Sequence, residues 1–189
     1  MAKGVDSRVY QIKVTLQGVR PPVWRRLLVP ASTSLSKLHN ILQVALGWTG
    51  AHLHLFDVGG QAYGVPDPEF ADDMLSDARV QMNQVLAHEK DTMFYDYDFG
   101  DGWRHKIVIE KVLQLTAETL TPLCIAGARA CPPEDCGGVW GYANLLKALA
   151  DPSHPEHEEM VEWVGEDFDP AHFNPEEVNA IIAPKGRRA

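Results

Sequence analysis

His52, His54 and His105, with Asp98 and Asp101 just upstream of the third histidine, are the residues best suited to acid–base or metal chemistry. An imidazole titrates near neutral pH and binds metals through nitrogen, and a neighbouring carboxylate orients its tautomer or completes a coordination shell. His52 and His54 stand two residues apart, on one face of an extended segment, and His105 falls on a different strand. Such a set suits a hydrolase or a metal-dependent enzyme. Histidines in aromatic-rich strands also serve as hydrogen-bonded core residues. No nucleophile elbow, glycine-rich phosphate loop or His-Glu-x-x-His helix accompanies these three. His105 and Asp101 are the catalytic candidates; His52, His54 and His105 are the metal candidates.

Cysteine chemistry has less to work with. Cys124, Cys131 and Cys136 lack the close C-x-x-C spacing of structural zinc sites, so His154, His157 and His172 could complete a tetrahedral set only through the fold. An odd number of thiols is expected to stay reduced, and no activating base stands beside a Cys131–Cys136 redox pair. The stretch Cys131-Pro132-Pro133-Glu134-Asp135-Cys136-Gly137-Gly138 reads as a rigid loop. Its Glu134 and Asp135 are expected to cap the helix near Trp140 or to engage the basic N-terminal third.

The element that positions His105 is the run from Tyr95 to His105, in which aromatics at 95, 97 and 99 alternate with carboxylates before a Gly-Asp-Gly turn. A three-residue loop, Gly100 to Gly102, would set Phe99 against Trp103, Tyr97 against His105 and Tyr95 against Ile107 on the inner face. Asp98 would then oppose Arg104 and Asp96 would oppose Lys106 on the outer face, each pair worth about 0.2–1 kcal/mol. A two-residue Asp101-Gly102 loop would set Asp98 against His105 instead, which suits a dyad but scrambles the two faces. The complementary register is favoured, with Asp96 and Asp98 as surface ion-pair partners.

Elsewhere the pattern predicts a strand from Val9 to Leu16, with Tyr10, Ile12, Val14 and Leu16 on its buried side. A second, antiparallel strand follows from Val23 to Val29. It alternates so that Arg25 and Arg26 point apart, which argues against a paired anion clamp. Leu35 to Leu46 has helical spacing between a Ser34 cap and Gly47, with His39, Asn40 and Gln43 off the apolar stripe. A strand from His52 to Val58 comes next. An irregular stretch from 61 to 90 could cover a pocket, and Met82 to Leu86 reads as a helical turn. Strands are predicted at Met93–Phe99 and Trp103–Leu113, an irregular region at Thr116–Gly138, and helices near Trp140–Asp151, His154–Val164 and Pro175–Ile182, the last capped by Asn174. Together these make one α+β domain, with a mixed, mainly antiparallel sheet and helices packed on it. Its core spans about residues 8–183, and a flexible tail runs from 184 to 189.

Net charge is −9, unevenly distributed: +5 over residues 1–60 and −7 over each of 61–120 and 121–189. An acidic chain is a poor general nucleic-acid binder. A DNA-binding accessory role would have to rest on Arg20, Arg25, Arg26 and Lys37. The uncharged run from 38 to 56 is interrupted by His39, Asn40, Gln43, His52 and His54, so it is no membrane span. With no apolar leader at its start, the chain is read as cytoplasmic.

Several stretches match one family in order: Tyr10-Gln11-Ile12-Lys13, Pro22-Val23-Trp24-Arg25-Arg26, Leu38 through Trp48 to His52-Leu53-His54, Tyr95 to His105, and Cys131 to Gly138 with Gly141-Tyr142. In these the chain resembles the plasmid Ri ORF-three-like family, some members of which are labelled insertion-element passenger TnpR proteins. The resemblance spans about Val9 to Ile182 and implies a single α+β domain without an established activity. Nothing here supplies the nucleophilic serine and basic helix-turn-helix tail of a serine recombinase. The expected role is a non-catalytic binding or adaptor module, associated with plasmids or mobile elements and acting on a protein partner, with no cofactor. Trp48, His52, Tyr97, Trp103 and His105, with Arg25 and Arg26, are the expected binding residues, and the five rings are expected to border the principal concavity.

Overall fold

The computed structural model describes residues 6–66, 73–114 and 121–182. Its frame is an eight-stranded sheet. The strands are β1 (Arg8–Leu16), β2 (Trp24–Pro30), β3 (His54–Val58), β4 (Gln61–Gly64), β5 (Leu75–Ser76), β6 (Thr92–Tyr97), β7 (Trp103–Gln114) and β8 (Leu123–Ala128). They lie in the order β5-β4-β3-β6-β7-β1-β2-β8, all neighbours antiparallel except β4 and β5. The helices are α1 (Leu35–Leu46), α2 (Met82–Val85), α3 (Gly138–Ala150), α4 (His157–Val164) and α5 (Pro175–Ile182), with a 3-10 turn at Asp77–Arg79. This is the mainly antiparallel α+β domain the periodicities predict. No helix among the described residues is long and apolar enough to cross a membrane.

One face of the sheet carries the core. Alternation turns Tyr10, Ile12 and Val14 of β1, Leu27 and Val29 of β2, Tyr95 and Tyr97 of β6, and Trp103, His105, Ile107 and Ile109 of β7 inward, where all are buried. Leu35, Leu38 and Leu42 of α1 pack on this face, and burial of such side chains is worth about 1.5–3 kcal/mol each. Ser34 accepts a hydrogen bond from the Lys37 N–H at the start of α1, and Gly47 ends the helix in the left-handed region at φ 82°. Asn174 likewise accepts from the Glu176 N–H at the start of α5.

The opposite face carries charge. Arg26 pairs with Glu110 and Arg104 with Asp96 and Asp57, while Lys13 and Arg26 lie over the Trp24 ring and Arg104 over Phe94.

Two sequence expectations change here. The region read as irregular before Gly138 contains β8, an edge strand on β2 whose Leu-Cys-Ile-Ala-Gly-Ala run lacks any clear alternation. The irregular stretch after residue 60 contributes β4 and the short β5, while its residues 67–72 lie outside the described set, as does the tail from 183.

Candidate functional site

The predicted hairpin is present, but its register is shifted by two residues from the expected one. Tyr97 faces Trp103, Asp96 faces Arg104, Tyr95 faces His105 and Met93 faces Ile107. An even shift preserves sidedness within the strands, so the inward rings stay inward. It lengthens the connection to Asp98 through Gly102 and reverses the roles at its start. Phe99, expected inside, is 54% exposed, and Asp98, expected outside opposite Arg104, is 6% exposed. Asp98 takes φ 55° and its Oδ1 accepts from the N–H groups of Gly100 and Asp101 at 3.0 and 3.3 Å. An aspartate tolerates this backbone and closes the turn with its own side chain, so turn chemistry overrides strand alternation at this position.

Three sequence-distant segments meet around this turn. Trp48 donates its indole N–H to the Pro132 carbonyl at 2.9 Å. Thr49 donates from its backbone N–H and its hydroxyl to Glu134, and Tyr97 donates its hydroxyl to the other oxygen of the same carboxylate. His52 Nε2 lies 3.2 Å from Asp135 Oδ1 and 3.7 Å from Asp98 Oδ2. Asp101 accepts from the Gly137 N–H at 3.2 Å. The two loops come so close that a Cβ on Gly138, which has φ 68°, would collide with the Asp101 carbonyl oxygen. Glycine is required there on both counts. Glu134 and Asp135 therefore do not cap α3, whose N-cap is Gly137 with no side-chain bond. They tie the 131–138 loop to Thr49 and His52 in the segment between α1 and β3 and to Tyr97 at the end of β6.

Burial tends to raise the Glu134 carboxyl pKa, but the hydrogen bonds from Thr49 and Tyr97 outweigh it and hold the group below its ordinary value. The Tyr97 phenol is pushed up to about 12, by burial first and then by that hydrogen bond to Glu134. Both groups thus keep the protonation states the hydrogen bond needs across the neutral range.

Behind this junction lies an aromatic–histidine core. The Trp48 ring centroid is 4.9 Å from Tyr97, 6.1 Å from Trp103 and 5.3 Å from His105, and His52 is 5.8 Å from Tyr97. The five rings predicted as a group are indeed neighbours. Four of them, Trp48, Tyr97, Trp103 and His105, are buried and form packed interior; Trp48 also borders a cleft of about 440 Å³ shared with Arg25, Pro132 and α5. The expectation that they border the main concavity is thus corrected, because strand pairing and α1 close over them. His105 is fully enclosed: burial lowers its pKa to about 4, and its Nδ1 lies 3.3 Å from the Tyr95 carbonyl oxygen. It is a neutral core residue, out of reach of a substrate in this conformation.

The three metal-candidate histidines also separate. His54 Nε2 sits 3.0 Å from Asp77 Oδ2, both largely buried, while His52 faces Asp98 and Asp135. Stacked on His54 at 3.6 Å is His39, whose Nδ1 lies 2.8 Å from the Tyr95 hydroxyl; Gln43 donates to that same hydroxyl. Burial, then the neighbouring His54, lowers the His39 pKa to about 4. Sequence reasoning set His39 and Gln43 off the apolar stripe, yet they share the 35-39-42-46 face of α1 and look onto β6. Asp77, Glu134 and Asp135 are further residues missed as site members. For Asp135 the signal was its place in a motif; for Asp77 there was none.

Arg25 and Arg26 do point apart. The Arg25 guanidinium is buried, donates to the Ala45, Trp24 and Ala128 carbonyls and lies 4.1 Å over the Phe173 ring, while Arg26 is held by Glu110 on the far face. Neither is arranged for phosphate contact. All three cysteines are free, and burial raises the thiol pKa of Cys131 to about 11 and of Cys136 to about 12, so neither is an activated thiolate. Among the described residues, the one set of three or more His, Cys, Asp or Glu side chains with ligand atoms gathered together is His52, Asp98 and Asp135.

Beyond Asp135 the surface opens into a cleft of about 630 Å³ between α3 and α4. Asp135, Glu156, Glu159 and Glu162 line it with Met160 and Trp163, and no lysine or arginine does. No residue of α4 is buried, and the helix packs on α3 alone among its stronger neighbours.

Fold and junction together define a single α+β domain whose sequence motifs converge on one carboxylate-rich corner of an antiparallel sheet. Residues 8–177 match the family model described as "Plasmid pRiA4b ORF-3-like protein", and the chain belongs to that family. It is 42% identical over 178 residues to the uncharacterized protein y4hQ of Sinorhizobium fredii (strain NBRC 101917 / NGR234), covering 93% of this chain and 91% of that protein. Among solved structures it resembles the protein of unknown function MM3350 from Methanosarcina mazei Go1, with a TM-score of 0.83 and 35% identity over 90% of this chain and 97% of that one.

Proposed function

We propose that the protein is a non-catalytic binding module, an adaptor whose docking surface is the cleft between α3 and α4 and whose partner is a protein presenting a basic segment. The observation that carries this reading is the lining of that cleft: Asp135, Glu156, Glu159 and Glu162 beside the half-exposed indole of Trp163, with no cationic side chain among them. Arginine suits such a surface, since its guanidinium pairs with carboxylates and stacks on an aromatic face. Trp140 is almost fully exposed on α3, one of the two helices that wall the cleft. Large exposed aromatics rimmed by charge are a common feature of interaction surfaces. Nucleic acid fits less well, because the cleft repels phosphate and Arg25 is committed to backbone carbonyls. Three free thiols accord with a cytoplasmic setting. A role alongside plasmids or mobile elements is supported only by the plasmid in the family's name.

The test is fluorescence anisotropy with a labelled arginine-rich peptide and a glutamate-rich control. Saturable binding of the basic peptide is expected, weakened at least about tenfold by a Glu159→Lys/Glu162→Lys double substitution and by Trp163→Ala at constant charge. Loss in the charge variant with none in Trp163→Ala would reduce the interaction to non-specific attraction. No binding at low salt would end this reading.

A further inference from the structure

We propose that His52, Asp98 and Asp135 form a binding site for a divalent transition-metal ion, independent of the peptide cleft apart from the shared Asp135. His52 Nε2 lies 3.2 Å from Asp135 Oδ1 and 3.7 Å from Asp98 Oδ2, and the three ligand atoms all fall within 4.8 Å of one another. A tetrahedral ion with bonds of about 2.0–2.2 Å holds its ligand atoms about 3.3–3.6 Å apart. The two histidine–carboxylate separations bracket that edge length. The longer exceeds hydrogen-bond reach, and the shorter lies within it yet leaves His52 Nε2 without a hydrogen-bond partner.

A second observation points the same way. The Asp98 side chain is 9% exposed, yet only its Oδ1 is used by the turn; among the described residues its Oδ2 receives no hydrogen bond and is aimed at His52. His52 Nε2 is itself buried and has no hydrogen-bond partner. A buried ring nitrogen left without a hydrogen-bond partner beside a carboxylate oxygen is costly unless a third particle joins the two. One imidazole and two carboxylates form a donor set for Zn²⁺, Co²⁺ or Mn²⁺ rather than for a soft ion. Three protein ligands leave further positions for water or a donor from outside, whereas a purely structural zinc site supplies all four. Each ligand comes from a different segment: the one before β3, the hairpin turn, and the 131–138 loop. An ion there would lock the junction of the three.

The full chain, stripped with a chelator, is titrated with Co²⁺ and followed by visible absorption and calorimetry. One ion per chain is expected, with ligand-field bands and no thiolate charge-transfer band. Asp135 is exposed and Asn can hold the turn at 98, so Asp135→Asn and Asp98→Asn are expected to keep the metal-free melting temperature while weakening Co²⁺ binding by more than about tenfold. Asp135→Glu, which retains the carboxylate, should restore much of the loss. Co²⁺ should also raise the melting temperature of the unsubstituted protein and not of Asp135→Asn. Absence of saturable uptake, a thiolate band, or undiminished affinity in both Asn variants would each overturn the assignment. Peptide binding by Asp135→Asn separates this result from the cleft reading, since Glu156, Glu159 and Glu162 remain.

Discussion

The inner face of the sheet and the α3–α4 cleft both concentrate ionisable and aromatic side chains, and they do opposite things with them. On the inner face His39, His54, His105, Gln43 and Asp77 are folded into a packed interior, paired or stacked, with burial holding His39 and His105 uncharged near neutral pH. In the cleft, Glu156, Glu159 and Glu162 remain solvated with Trp163, on a helix that buries no residue. Polar groups inside the core stabilise one arrangement because leaving them unpaired is expensive. Polar groups in the cleft contribute little to stability and so are free to recognise something else. Between the two stands the junction at Asp98 and Asp135, one carboxylate sequestered and the other exposed.

Substitution of the two tryptophans should separate these regions most widely. Trp103→Ala removes a fully buried indole and is expected to cost about 3–5 kcal/mol, whereas Trp163→Ala should change stability by less than about 1 kcal/mol. Urea unfolding of both variants measures the contrast; equal losses would show that the cleft wall is part of the core. Gly138→Ala comes next, at about 2–3 kcal/mol, since it forces a side chain into the left-handed region and against the Asp101 carbonyl. If the junction is a local unit, its amide exchange at residues 98–102 and 131–138 should quicken more than that of β1 and β7.

Acid should affect the inner face before the cleft. His105 has a folded pKa of about 4, below the ordinary value of 6.5 that it regains on unfolding. Its contribution is therefore complete above about pH 6.5 and is lost as pH falls toward 4. At pH 5 this amounts to about 2 kcal/mol less stability than at pH 7, and His39 adds a smaller loss of the same sign because it is only partly enclosed. Denaturant midpoints across this range check it. A His105→Gln protein with an unchanged slope would refute the assignment to that residue.

Strand and helix placement could be read directly wherever one face is buried. The alternation of Tyr10, Ile12 and Val14, the spacing of Leu35, Leu38 and Leu42 with its Ser34 cap and Gly47 stop, and the inward set Tyr95, Tyr97, Trp103, His105 and Ile107 all appear as the periodicities require. The hairpin register could not be read, because a shift of two residues leaves every face unchanged and only the turn distinguishes the options. There Asp98 used its side chain to satisfy two backbone N–H groups, and in doing so exchanged places with Phe99. The β8 strand escaped notice because it is a sheet edge without alternation, recognisable only beside β2.

The amino-acid sequence alone determined the family, the α+β class, the ring-bearing hairpin and the motif-bearing stretches. Which atoms of those stretches meet was decided only by the tertiary structure. Local periodicity reports which side of an element is apolar, a property of one segment at a time. The approach of His52 to Asp98 and Asp135, and the retreat of His105 into the core, depend on how far loops from three parts of the chain can close upon one another. That is a matter of backbone clearance at Gly138 and hydrogen bonding at Glu134, and no single segment encodes it.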